Sequence, residues 1–149
     1  MENSLEDTVG VDSTGGDSNK IAIVLRDDLE PWQRLNVAAF TISGVAAMPG
    51  VVGVKYRDAS GAIYLPMFRE PVLVFGARAD EMQRTADRAR SRGVPFSVFT
   101  EQLFSTFNDE DNRAAVEAVA TPDLAIVGLA FRCERKAADK ILKGLKLLR

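Results

Sequence analysis

The chain has 149 residues, 46% hydrophobic and 27% charged, which suits one ordinary domain able to bury roughly 70% of the surface its unfolded form exposes. The net charge of -2 is unevenly spread: residues 1–19 hold five carboxylates and no Lys or Arg, leaving 16 acidic against 19 basic groups elsewhere, too small an excess to argue for nucleic acid alone. With no histidine and one cysteine, Cys133, the chain is excluded from His-dependent nucleophile systems, His-containing metal sites and internal disulfides.

Residues 1–19 are acidic, rich in Ser and Gly and poor in large apolar groups, a composition expected to give a disordered acidic tail. They lack the cationic start and apolar centre of a signal peptide. Residues 20–149 are expected to form a single domain. Ile21 to Leu25 is a continuous apolar run, as in a strand covered on both faces. Pro31 suits the first turn of a helix reaching about Met48, where Pro49-Gly50 stops it. Leu35, Val37, Ala38, Ala39, Phe40, Ile42 and Val45 make that helix apolar nearly all round, so it is expected to lie deep. The run Val37 to Val54 is broken by Thr41, Ser43, Gly44 and Pro49-Gly50, which reads as a buried helix, not a membrane span, and places the protein in the cytoplasm.

Val51 to Arg57 and Ala62 to Leu65 flank the turn sequence Asp58-Ala-Ser-Gly61 and predict a β-hairpin. Pro71 to Phe75 is a further strand. Asp80 is placed to cap a helix with a Met82, Ala86, Ala89 stripe, which Gly93 ends. Phe96 to Thr100 is a strand, Asn108 or Asp109 caps a helix through Val119, Leu124 to Phe131 is a strand, Glu134 to Lys143 a helix and Leu145 to Leu148 a last strand. This alternation predicts an α/β domain of three layers, α/β/α, and the hairpin suggests that its sheet is mixed.

Neither GxGxxG nor GxxxxGK[ST] occurs, and no metal-ligand or cofactor pattern is present, so no metal and no cofactor are expected. Polar residues at strand ends carry what signal there is. Ligands of open α/β sheets bind beyond the carboxyl ends of strands, which singles out Arg26 and Asp28 after the first strand and Glu101 after Phe96 to Thr100. Asn36 is a polar group on an otherwise apolar helix and calls for a partner or a ligand. An ordinary structural role is weighed beside each: a capping Arg/Asp turn for Arg26 and Asp28, a loop carbonyl for Asn36. Trp32 suits packing more than stacking on a base, and Lys136, Lys140 and Lys143 form a basic face best read as solvated surface.

KIAIVLRDDLEPWQRLNVAAF resembles the opening of type II peptidyl-tRNA hydrolases, in which a strand ending Arg-x-Asp-Leu leads into a helix bearing Gly-Lys-x-Ala-Ala-Gln. Arg26, Asp28 and Leu29 match the first element, and Gly144, Leu145, Lys146 and Leu147 match that family's Gly-x-Leu-Lys-Leu ending. The resemblance covers most of residues 20–149 and implies a peptidyl-tRNA hydrolase II-like fold. It also marks departures: Asn36 stands where that family has its essential Lys and Phe40 where it has Gln. An amide supplies no positive charge for a phosphate-rich substrate. The family's catalytic Asp aligns with Glu101 counting forward and with Asp111 counting back, across what looks like an insertion at Phe104 to Asp109. RDDLEPWQRLNVAAF, YLPMFREPVLVF and the LKGLKLL ending are closer still to a bacterial group with no assigned activity, the domain of unknown function numbered two thousand.

The resulting expectation is a binding protein that uses Arg26, Asp28, Asn36, Glu101 and Asp111 for a small polar ligand or RNA, without catalysis. The alternative is a hydrolase of peptidyl-tRNA or a related acyl ester, with Asp28 or a carboxylate at Glu101 or Asp111 orienting water. The apolar hairpin region, including Val51, Val52, Val54, Ile63, Tyr64, Leu65, Met67 and Phe68, further suggests a homodimer if it is exposed.

Overall fold

The computed structural model describes residues 18–148, so all but the last two residues of the expected acidic tail lie outside the described residues. In chain order the elements are β1 (Asn19–Arg26), α1 (Pro31–Ala46), β2 (Tyr56–Arg57), β3 (Ile63–Tyr64), β4 (Val72–Ala77), α2 (Ala79–Ser91), β5 (Ser97–Thr100), a 3-10 helix (Glu101–Ser105), α3 (Asp109–Glu117), a single 3-10 turn (Thr121–Asp123), β6 (Ile126–Glu134), α4 (Arg135–Ile141) and β7 (Lys146–Leu147). Five strands form one sheet in the order β5-β6-β1-β4-β7, with β1 parallel to β4 and antiparallel to β6. The sheet is mixed because β6 returns against β1. The hairpin expected to mix it instead stands apart, as a two-stranded ribbon of β2 and β3.

Side-chain alternation along β1 divides the core. Ala22 and Val24 pack with Met82, Ala86 and Ala89 of α2 and with Ala138 and Ile141 of α4. Ile21, Ile23 and Leu25 face the other way, against Val37 and Val45 of α1. Helices thus cover both faces. On its own face α1 meets the sheet mainly through one stripe, Val37, Thr41 and Val45, its fully buried residues. Trp32, Leu35 and Phe40 are 60, 74 and 55% exposed, which corrects the expectation of a deep helix. Ala38 and Ile42 pack half-buried against the same cluster, and among the described residues no second layer covers the opposite face of α1.

Glycine sets how closely α1 approaches. A Cβ on Gly128 of β6 would lie 2.2 Å from Val37 Cγ1 and 3.3 Å from Leu25 Cδ2, so only glycine admits the helix at this height. At the start of α2 the Glu81 carboxylate accepts the Arg78 backbone N–H at 2.9 Å; Asp80, expected as the cap, is the helix's second residue. Gly93 closes α2 at φ 68°, as its position predicts. Asn108 caps α3, its side-chain oxygen accepting the Asp111 N–H at 2.8 Å.

Candidate functional site

The carboxyl ends of the parallel pair β1 and β4 open at one end of the sheet, and Arg26 is the last residue of β1 there. Its guanidinium donates from Nε to Asp28 Oδ1 at 2.6 Å and from Nη1 to Glu101 Oε1 at 2.7 Å. The Arg26 side chain is 18% exposed, against 63% for Asp28 and 51% for Glu101. Burial disfavours its charge, but the two carboxylates outweigh that and hold its pKa above the usual arginine value. The cluster carries a net negative charge of one, so Arg26 is a clamp between carboxylates and not a vacant anion site.

Glu101 reaches that clamp from the end of β5, where the pairing with β6 carries a bulge. Phe99 pairs with Gly128 and Thr100 with Ile126, so β6 passes one extra residue, Val127, between them. Such an insertion bends the strand that carries it, here β6, beside the point where β5 ends at Thr100. The backbone turns directly into the 3-10 helix, with the Glu101 N–H donating to the Ala125 carbonyl at 3.0 Å. Arg26 therefore ties the first strand to the 3-10 helix. Two buried polar atoms near this end, Arg34 Nε and Thr100 Oγ1, have no hydrogen-bond partner among the described residues.

Beside the clamp, α1, β5, the 3-10 helix and α3 enclose a cleft. Its larger lobe, about 560 Å³, is floored by Phe40, Val98, Phe99, Leu103 and Val116 and rimmed by Ser43, Ser97, Asp109, Asn112, Arg113 and Glu117. The adjoining lobe, about 350 Å³, shares Phe40, Phe99, Leu103, Asp109 and Asn112 and adds Trp32, Asn36, Phe104, Thr106, Phe107 and Asn108. Aromatic contacts run through both lobes: Trp32 to Phe104 at 5.9 Å, Phe104 to Phe99 at 5.0 Å and Phe99 to Phe40 at 6.1 Å between ring centres. The first and last of these are edge-to-face and the middle pair is tilted, contacts that fix ring orientation. Polar ties hold the walls: Ser97 Oγ donates to the Thr41 carbonyl, joining β5 to α1, and Thr106 Oγ1 donates to Asn112 Oδ1, joining the 3-10 helix to α3.

The predicted residues divide accordingly. Arg26, Asp28 and Glu101 converge on one cluster. Asn36 lies apart from it in the smaller lobe, with no side-chain hydrogen bond to another described residue. Asp111 joins neither group; its carboxylate accepts from Asn108 Nδ2 at 3.0 Å in the cap of α3. Of the two carboxylates that the hydrolase resemblance leaves open, Glu101 is the one beside Arg26. The cleft floor was missed in the sequence because Phe40 and Phe99 read there as core. The signal that could have found it is the density of aromatics in Phe99 to Phe107, three of them within nine residues.

Other features are smaller. A polar depression of about 410 Å³ lies at the same end of the sheet between Asp27, Gly76, Arg78, Glu81 and Gly144 to Leu148. Among the described residues no group of three or more His, Cys, Asp or Glu is placed to hold a metal ion, and no helix is long and apolar enough to cross a membrane. Cys133 is half-buried, and burial, with Glu134 and Asp139 nearby, raises its thiol pKa away from reactive thiolate.

A mixed α/β sheet with an aromatic cleft at one edge is thus the class the geometry defines. The family model for a protein of unknown function (DUF2000) matches residues 19–149, and the chain belongs to that family. A solved structure of a protein of unknown function from Agrobacterium tumefaciens is similar to it: 38% identity, a TM-score of 0.85, and coverage of 88% of this chain and 98% of that one. No curated protein matches the chain.

Proposed function

We propose that the protein is a binding module whose ligand is a small molecule with a flat apolar body and a neutral or cationic polar head, seated in the α1–α3 cleft. The observation that carries this reading is the cleft's composition: an aromatic floor with a few convergent polar groups, in the volume range of small-molecule sites. Asn36, Asn112 and Thr106 offer amide and hydroxyl partners for the head. Charge selects its sign. Asp109, Glu110 and Asp111 crowd the first turn of α3 and Glu117 its last, whereas Arg113 is paired to Asp109 and Arg26 is held by two carboxylates. A polyanion meets repulsion at such a rim, which weighs against RNA.

We further read the domain as a peptidyl-tRNA hydrolase II-like scaffold, on the strength of Arg26-x-Asp28-Leu29 at the junction of β1 and α1. Asn36 in place of that family's Lys, and an arginine already satisfied by Asp28 and Glu101, favour binding over hydrolysis. Trp32, the sole tryptophan, lines the smaller lobe and reports on occupancy. Titration with a fragment set of aromatic amines, neutral heteroaromatics and aromatic acids, with a single-stranded oligonucleotide as control, is expected to give saturable quenching by amines or neutral rings and none by the oligonucleotide. Phe40→Ala removes the response. A set with no binder, or binding that survives both Phe40→Ala and the cleft-filling Ser43→Phe, rejects the proposal.

A further inference from the structure

We infer, resting on the aromatic-ligand reading of the cleft, that its ligand is a short extended peptide that adds a strand to the free edge of β5. β5 ends the main sheet and pairs only with β6. The direction of neighbouring hydrogen bonds fixes which of its backbone groups are free. The Glu101 N–H donates inward, to the Ala125 carbonyl just before β6, and the extra residue of the bulge belongs to β6. Alternation along β5 therefore turns Phe99 and Ser97 inward as well. The far side of β6 agrees. The Asp27 N–H donates to the Ala77 carbonyl of β4, so Val24 turns the opposite way, to Leu129 of β6, which leaves Gly128 and Ala130 to bond Phe99 and Ser97. The Val98 N–H and carbonyl thus point off the sheet, and no backbone group among the described residues bonds to them from outside it. One residue of an added antiparallel strand supplies the acceptor and donor that match this pair.

Nothing in β5 itself guards this edge. Ser97, Val98, Phe99 and Thr100 include neither a charge nor a proline, the usual protections of an open strand. The cleft walls take that role: Val98 lies in the floor of the larger lobe, with Phe40 and Thr41 of α1 on one side and Asn112 and Val116 of α3 on the other. A second folded copy would bring helices flanking its own edge, whereas a single extended chain enters between these walls. The template is also rigid. Ser97 Oγ donates to the Thr41 carbonyl, and Gly44 lets α1 close onto β5, since a Cβ there would stand 3.2 Å from Ser97 Cβ. A strand held in place loses little entropy when it pairs. Side chains of the added strand alternate between its faces, so an aromatic one meets the Phe40 and Phe99 rings. An apolar pocket of about 270 Å³ between Val45, Met48 and Phe96, beside the start of β5, receives a second apolar side chain. The carboxylates of Asp109 and Glu117 on the rim favour a free amino terminus over a carboxylate.

The test titrates the full chain with the peptide Ala-Phe-Val, its amino terminus free and its carboxyl terminus amidated, and with two analogues in which each internal amide in turn is an ester. Aromatic amines serve as the reference. The peptide is expected to quench Trp32 saturably, and the ester that lacks the paired N–H to bind about ten-fold more weakly. Hydrogen–deuterium exchange read by 15N–1H spectra is expected to show the Val98 N–H protected by the peptide and not by the amines. Equal binding of the peptide and both esters, or a Val98 N–H that exchanges as fast in the complex as in the free chain, overturns the inference, while quenching by the amines leaves the reading of the cleft standing. Silence from peptide and amines alike overturns both. Protection of Val98 in the free chain that grows with protein concentration, the mark of a second copy on the edge, also overturns the inference.

Discussion

Replacing Gly128 by alanine perturbs the contact that sets the height of α1. The added Cβ would stand 2.2 Å from Val37 Cγ1, and ordinary carbon contacts begin near ~3.5 Å, so something must move by about 1.3 Å. Neither neighbour yields cheaply. Val37 is β-branched and held in one helical rotamer, and Leu25 Cδ2 closes the other side at 3.3 Å. The helix itself must lift, and overpacking of this kind costs ~1–3 kcal/mol, reduced by the roughly 0.4–1 kcal/mol that removing a flexible glycine contributes through the unfolded state. A net loss of about 1–2 kcal/mol is expected in urea unfolding, as a lower midpoint at unchanged slope. The double variant Gly128→Ala, Val37→Ala isolates the clash, because the two methyl-scale changes compensate each other in space. Its destabilisation is expected to fall below the sum of the single losses by about 1 kcal/mol. Additive losses, or a Gly128→Ala chain as stable as the parent, refute the close contact between α1 and β6.

Three further outcomes are expected from the geometry. Arg26→Met removes the tie between β1 and the 3-10 helix; because its carboxylate partners are more than half exposed, the stability cost is only about 1 kcal/mol, while amide exchange of Glu101 to Ser105 accelerates in hydrogen–deuterium exchange. Glu70→Gln breaks the two-pronged pair with Arg132, which is about four-fifths buried, and costs about 1–2 kcal/mol at neutral pH by urea unfolding. Hydrogen bonding from Arg132 holds the Glu70 carboxyl below its usual range, so its stabilisation is complete above the unfolded pKa and is lost as pH falls through the folded one. The gap between wild type and Glu70→Gln is therefore expected to close in acid, and a gap independent of pH contradicts the pairing. Phe40→Gln, which restores the residue type of the resembled hydrolases at that position, breaks the contact with Phe99 and is expected to weaken cleft binding about ten-fold without creating hydrolysis of a peptidyl-tRNA or acyl ester.

The sequence carried most of the fold because its signals were local. A continuous apolar run gave β1, Pro31 marked the start of α1, Gly93 ended α2 and Asn108 capped α3. What was not legible depended on partners distant in the chain. The outward face of α1 reads as apolar whether or not a second layer covers it, and only the packing leaves Trp32, Leu35 and Phe40 exposed. The hairpin turn was plain in Asp58-Ala-Ser-Gly61, yet no local pattern says that its strands miss the main sheet. Arg26, Asp28 and Glu101 were found together by one rule, that polar residues at carboxyl ends of strands share a mouth. Asp111 entered through an alignment across an insertion, and the structure puts it in a helix cap. The aromatic cleft escaped notice because its floor is made of residues that belong, by type, in a core.

The most direct measurement is a 15N–1H correlation spectrum of the intact chain titrated with whichever fragment quenches Trp32. Binding in the α1–α3 cleft predicts saturable shifts concentrated at Asn36, Phe40, Phe99, Leu103, Asn112 and Val116, absent from Ser43→Phe. Shifts centred instead on Arg78 and Gly144 to Leu148, or spread without a centre, contradict it.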